Sequence, residues 1–186
     1  MKKKIEKYKE TIEEENKVDF EILDSQRYFL KDKFIFHIET LGVYSNKDII
    51  IMASNHLVEY FKQIKIESKQ INNFRRSYNQ NVYYENMINI FKDDKKTHNL
   101  YILRLENEDY TVGKLIEKYL FNYRVENDES KMNFISFNKK HPHNDYSYIN
   151  IIYNEEDNED KIIIEDLVFI YDKIIYDFQY LIKVMS

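Results

Sequence analysis

Apolar positions recur along this chain with two different periods. From Ile164 they step by three and four through Leu167, Tyr171, Ile174, Phe178, Leu181 and Met185. That is an a/d seam, the spacing that lays one helix along another. Ile163, Ile170, Ile175 and Ile182 flank it and widen the apolar face beyond what one partner helix covers. A helix over 161–185 is therefore expected to rest on a sheet with one side and meet a second helix with the other. Ile50, Ala53, Leu57, Tyr60 and Ile64 predict another apolar helix face over 48–66. Before it, Ser45-Asn-Lys-Asp48 has a form close to a capping box. A shorter helix is expected over 111–122, where Val112, Leu115, Ile116, Tyr119 and Leu120 keep helical spacing.

Strand character appears at 19–23 (DFEIL), 33–40 (KFIFHIET), 100–107, 132–139 and 146–154, with Pro142 between the last two. The order is strand–helix, then strand–helix–strand–strand–helix. It predicts an α+β fold, an antiparallel sheet packed under long helices. Four segments follow: a charged tail over 1–18, a strand and long helix over 19–70, a linker over 71–99, and a domain over 100–186. Within the linker, QINNFRRSYNQN is polar, VYYENMINIF reads as a short element, and KDDKKTHN reads as a turn.

Composition narrows the chemistry. With 43% apolar and 16% aromatic residues the 186-residue chain is expected to fold. It has no cysteine, so disulfides, thiolate metal sites and cysteine nucleophiles are excluded together. No apolar run reaches membrane-spanning length, and MKKKIEKYKETIEEENK has no apolar h-region, so an intracellular, soluble protein is expected. A net charge of −5 with mixed signs does not attract a polyanion over the whole surface, and no direct sequence-specific nucleic-acid contact is expected. MKKK and Arg75–Arg76 are short basic runs of the kind usually found on solvated faces. His141-Pro-His143 with Asp145 is the one constellation suited to a metal, but it lacks a second ligand cluster. The acidic runs lack calcium-loop spacing, and Ser130, Ser136 and Ser147 lack a glycine-flanked elbow. The many tyrosines suit base stacking or a core, and net acidity with helical spacing favours the core. No cofactor and no catalytic residue is expected.

Only two glycines, one proline and one alanine occur, a bias resembling AT-rich coding. Those that remain are expected to answer a local backbone demand. Gly113 falls in the opening turn of a helix, where glycine costs roughly 1 kcal/mol relative to alanine. A residue without Cβ there lets another backbone approach closely, or lets the helix lie flat on its sheet. A single-glycine phosphate turn is the weaker alternative, since neither GxGxxG nor GxxxxGK[ST] occurs.

The stretch Glu108-Asp109-Tyr110-Thr111-Val112-Gly113-Lys114-Leu115-Ile116 resembles the signature of the alpha-like RNA polymerase subunits: an acidic pair, usually His, then Thr-Leu-Gly-Asn and a short helix. The eleventh subunit of eukaryotic RNA polymerase II and the archaeal L subunit carry it. The resemblance continues in register. Ile135–Pro142 is similar to the family's strand ending in His-Pro, 146–153 to its next strand, and 161–185 to its dimerisation helix. Tyr110 and Lys114 depart from the usual His and Asn. Phe34–Gly42 with the helix from Ser45 resembles the last strand and long helix of the third subunit, the archaeal D subunit and the bacterial alpha amino-terminal domain. Both glycines and the proline fall on these motifs.

The resemblance implies a fusion of the tail of a third-subunit-like protein (19–70) with an eleventh-subunit-like domain (100–186), an arrangement similar to those of large DNA viruses. The implied fold is the alpha-subunit dimerisation domain. The implied role is a non-catalytic assembly subunit of a DNA-directed RNA polymerase, a platform for the large catalytic subunits. Gly113, Leu115, Ile116, Leu57, Ile64, Leu167, Tyr171, Ile174, Phe178 and Leu181 are the expected interface residues. Gly42, Asp109, Thr111, His141 and Pro142 are the expected structural motif. The third subunit's own signature helix and inserted domain are not found, so a separate third-subunit-like polypeptide is expected to dock on the faces of 48–66 and 161–185. The compartment would be nucleus or cytoplasm, with the virion added by a viral source. A free-standing helical adaptor or oligomerisation protein is the alternative.

Overall fold

The computed structural model describes residues 22, 33–71, 74, 84–92, 99–126, 132–154 and 161–186. The chain divides into two compact units, Met1–Leu41 and Gly42–Ser186. In the first, residues 33–40 form no strand, against expectation, and Phe34, Ile35 and Phe36 are exposed. Their alternation suits a strand, but among the described residues the four-stranded sheet does not include them. The charged tail and, apart from the exposed Ile22, the expected strand at 19–23 lie outside the described residues.

The second unit contains α1 (Asn46–Gln70), β1 (Ile88–Lys92), β2 (Asn99–Glu106), α2 (Tyr110–Phe121), a π-helical turn (Asn122–Glu126), β3 (Met132–Asn138), β4 (Tyr146–Tyr153) and α3 (Lys161–Met185). The four strands form one antiparallel sheet in the order β1-β2-β4-β3. The fold is α+β, three helices with a four-stranded antiparallel sheet, and the two long helices pack together.

Register explains the core. Leu103 lies opposite Ile90 on one side and Ile149 on the other, and Tyr101 opposite Ile151. Every second residue of β2 and β4 therefore joins one face. Tyr101, Leu103, Leu105, Ile149, Ile151 and Tyr153 from that face share a continuous core with Phe61 and Ile64 of α1, Ile116 and Leu120 of α2, and Ile163, Leu167, Ile170, Tyr171 and Ile174 of α3. The opposite face is also dry at Arg104 and Glu106, two residues apart on β2 and joined by a buried ion pair of 2.6 Å. The Arg104 guanidinium lies 4.9 Å from the ring centroid of Tyr84 and 3.9 Å from that of Tyr146. Burial pushes Glu106 above its ordinary value although Arg104 pulls the other way.

α1 begins as the capping box predicts. Asp48 N donates to Ser45 Oγ at 3.1 Å, and Ser45 N donates back to Asp48 Oδ2 at 3.3 Å. The Ser45 hydroxyl, which donates to Asp48 Oδ2 at 2.7 Å, and then the Ser45 amide hold the Asp48 carboxyl below its ordinary value. The buried stripe differs from the expected one. It runs through Ser54, Val58, Phe61, Ile64 and Ser68, while Ala53 is exposed and Leu57 and Tyr60 are half-buried. The reason is that serine hydroxyls bond back to the helix: Ser54 Oγ donates to Ile50 O at 2.8 Å and Ser68 Oγ to Ile64 O at 2.7 Å. Polar by type, these small residues are satisfied within their own helix and leave room for a neighbouring one.

The segment expected as a linker supplies a sheet edge. β1 is nearly all buried, and Glu67 of α1 accepts from Met87 N at 2.8 Å just before it. The turn-like run over 93–98 lies outside the described residues. Among the described residues no helix is long and apolar enough to cross a membrane.

Candidate interaction surface

α1 and α3, 25 residues each, run antiparallel. Lys47 Nζ donates to Ser186 O at 3.0 Å at one end, Lys65 pairs with Asp172 further along, and the Phe61 and Tyr171 rings lie 5.7 Å apart between them. Ile64, Leu167, Tyr171 and Ile174 are fully buried here, so these expected interface residues serve a contact inside the chain. Phe178 is half-buried and Leu181 is exposed.

Gly113 has a specific neighbour. A Cβ at this position would fall inside the Phe137 ring of β3, overlapping Cε2 and Cδ2. Glycine thus lets α2 settle on the sheet, and what approaches is a side-chain ring rather than a backbone. The Tyr110 ring meets Phe137 edge-on at 5.2 Å, and Glu117 Oε1 accepts from Phe137 N at 2.9 Å. Glu117 thereby occupies an outward amide of an edge strand. Asp109 caps α2, its carboxylate accepting from Thr111 N at 3.4 Å. Ile116 is buried and Leu115 half-buried.

At the far end of α2 a buried cluster locks three elements together. Arg124, on the π-helical turn, donates through Nε at 3.0 Å to both oxygens of Asp166 on α3, and its Nη2 also reaches Oδ1. Tyr153, the last residue of β4, donates to Asp166 Oδ2 at 2.9 Å. Burial alone would lower the Arg124 guanidinium, but Asp166 offsets this and holds it above its ordinary value. Burial, then the Asp166 charge, pushes Tyr153 well up. Nearby, Tyr119 donates to Asp177 at 2.9 Å; burial and that carboxylate push it up to about 12. Sequence reasoning missed this cluster. Its one signal was Asp166 lying on the apolar side of a helix, between Ile163 and Ile170.

The remaining predicted residues are peripheral. Gly42 has φ +88° and Thr111 is exposed. His141 and Pro142 sit in the exposed β3–β4 turn, where the His141 and His143 rings are 5.1 Å apart. Among the described residues no group of three or more His, Asp or Glu side chains is arranged to hold a metal.

Among its exposed charged residues, α3 also presents apolar side chains to water. Phe169, Tyr176, Tyr180 and Val184 step by seven, four and four along α3, one stripe on a helix, and Tyr180 and Val184 are 60% and 62% exposed. Tyr123 stacks on Phe169 at 4.1 Å, linking the stripe to α2. α1 adds exposed Ile49 and Met52. Exposed apolar area of this kind is a general mark of surfaces that contact other polypeptides. No protein-family model matches the chain, and no curated protein matches it.

Proposed function

We propose that this chain is a non-catalytic assembly subunit of a DNA-directed RNA polymerase, with an alpha-subunit dimerisation-domain fold that joins a third-subunit-like helix to an eleventh-subunit-like domain. The observation that carries the reading is the pairing of α1 with α3. A helix from the front half lies antiparallel along the last helix, over the sheet whose β3 holds Phe137 against Gly113. The helix of the front motif and the whole of the rear motif thereby lie in one packed unit, which supports the reading. The solvent-facing aromatic stripe of α3 supports a role in holding neighbours. Its partners in this reading are the two large subunits and a separate third-subunit-like polypeptide, in an intracellular setting. Phosphodiester synthesis belongs to the large subunits. Purification of the tagged full chain from its native source tests the reading. Both large polymerase subunits should accompany it in near-equal amounts. A chain recovered alone, or only with copies of itself, would favour a free-standing adaptor instead.

A further inference from the structure

We propose that the outer edge of β3 takes up a short extended segment of another polypeptide, with a glutamate side chain seated between β3 and α2. β3 stands at the end of the sheet order β1-β2-β4-β3. Phe137 turns its amide away from β4 and donates it to Glu117 of α2. In an antiparallel ladder every second residue points its backbone groups the same way, so the N–H and C=O of Ile135 also face outward. Among the described residues nothing pairs with these two groups. Beside them lies an open cleft of about 460 Å³, lined by Lys114, Glu117, Lys118, Phe121 and Ile135. Ile135 shares its sheet face with Phe137, the face on which α2 is docked. A residue paired directly with Ile135 projects its side chain to that face, and so into the cleft.

The lining selects the side chain. Phe121, 38% exposed, and Ile135 give apolar walls for a short aliphatic stem. Lys114 and Lys118, one turn of α2 apart and both exposed, bring two ammonium groups. Glu117 offsets only one of them. Its Oε1 accepts from Phe137 N, and its Oε2 pairs with Lys114. Lys118 has no carboxylate partner among the described residues, and its Nζ lies 5.7 Å from the Phe121 ring centroid. One positive charge is thus in excess beside an apolar wall. That combination fits a carboxylate on an aliphatic stem, and the unpaired edge fits the backbone that bears it. Because Glu117 already holds the Phe137 amide, the incoming segment forms its ladder bonds at Ile135 and no further toward α2. The contact is short, and charge complementarity gives it selectivity.

The test titrates the full chain with a short capped peptide of threonines around one central glutamate, followed by amide NMR. The Ile135 amide should shift saturably, and its hydrogen exchange should slow by about tenfold. A peptide with glutamine at the centre should bind about tenfold more weakly, as should Lys118→Glu with the original peptide. Lys118→Arg should keep binding within about twofold, because the charge remains. Both variants should match the wild type in thermal midpoint, since Lys118 is exposed. The glutamine peptide reads the charge without altering the protein at all. No saturable shift at Ile135, or equal binding of the two peptides, overturns the proposal. N-acetylglutamate binding as tightly as the peptide also overturns it, because the cleft would then take a carboxylate without a strand. So does concentration-dependent self-association that protects Ile135, which would assign the edge to a second copy of the chain.

Discussion

The two halves of α3 carry the same apolar repeat and live in different surroundings. In the amino half, Ile163, Leu167, Ile170, Tyr171 and Ile174 are dry, and even Asp166 is buried on a dedicated partner. In the carboxy half, Tyr176, Tyr180, Leu181 and Val184 meet water. The amino half has the sheet beneath it and α1 and α2 beside it. A heptad-like pattern therefore marks surface that needs covering, and does not say whether the cover comes from the same chain.

Substitutions can test that contrast directly. The largest effect is expected from Ile174→Asp, which puts a charge into a site with no solvent access. A loss of about 5 kcal/mol would unfold most single domains, and circular dichroism would show it. Asp166→Ala should follow at about 3–5 kcal/mol, because Arg124 would stay buried without its carboxylate. Denaturant titration measures this, and a loss below about 1 kcal/mol would mean that the cluster contributes little. Gly113→Val should cost about 1–3 kcal/mol by forcing Phe137 off its position, with α2 contacts loosening in hydrogen exchange.

The paired change Tyr180→Asp, Val184→Asp belongs to the wet half. It should alter the stability of the free chain by no more than about 0.5 kcal/mol, and under the proposed polymerase role it should weaken capture of polymerase subunits severely in a pull-down. A large loss of intrinsic stability would mean that the carboxy half is already part of the core. The smallest effect concerns Glu108, half-buried ahead of α2. Burial, with Asp109 beside it, raises its carboxyl above the ordinary 4.5. Its contribution is fully present below that ordinary value and is lost as pH rises through the raised one. Glu108→Gln should therefore gain on the wild type in thermal midpoint as pH increases from about 4 to 7, and a pH-independent difference would contradict the shift.

Much of this architecture was readable in the amino acids. The capping box at Ser45, the helix over 161–185 and the strands near 100, 132 and 146 depend on local spacing, and each begins within a residue or two of its expected place. Gly113 announced a close approach. Phe137 as its neighbour was invisible, because the two lie 24 positions apart and only the docking of α2 on β3 joins them. Ser54 and Ser68 were overlooked as core residues because a hydroxyl reads as surface until it bonds its own helix. Residues 33–40 show the reverse error, a strand pattern that lies outside the four strands of the described residues.

By itself the sequence determined where helices and strands could form and which of their faces were apolar, since period and capping act over a few neighbouring residues. The tertiary structure alone decided which of those faces would be satisfied within the chain. Covering a face and pairing Arg124 with Asp166 both require residues distant in sequence to meet, and no local pattern encodes that meeting.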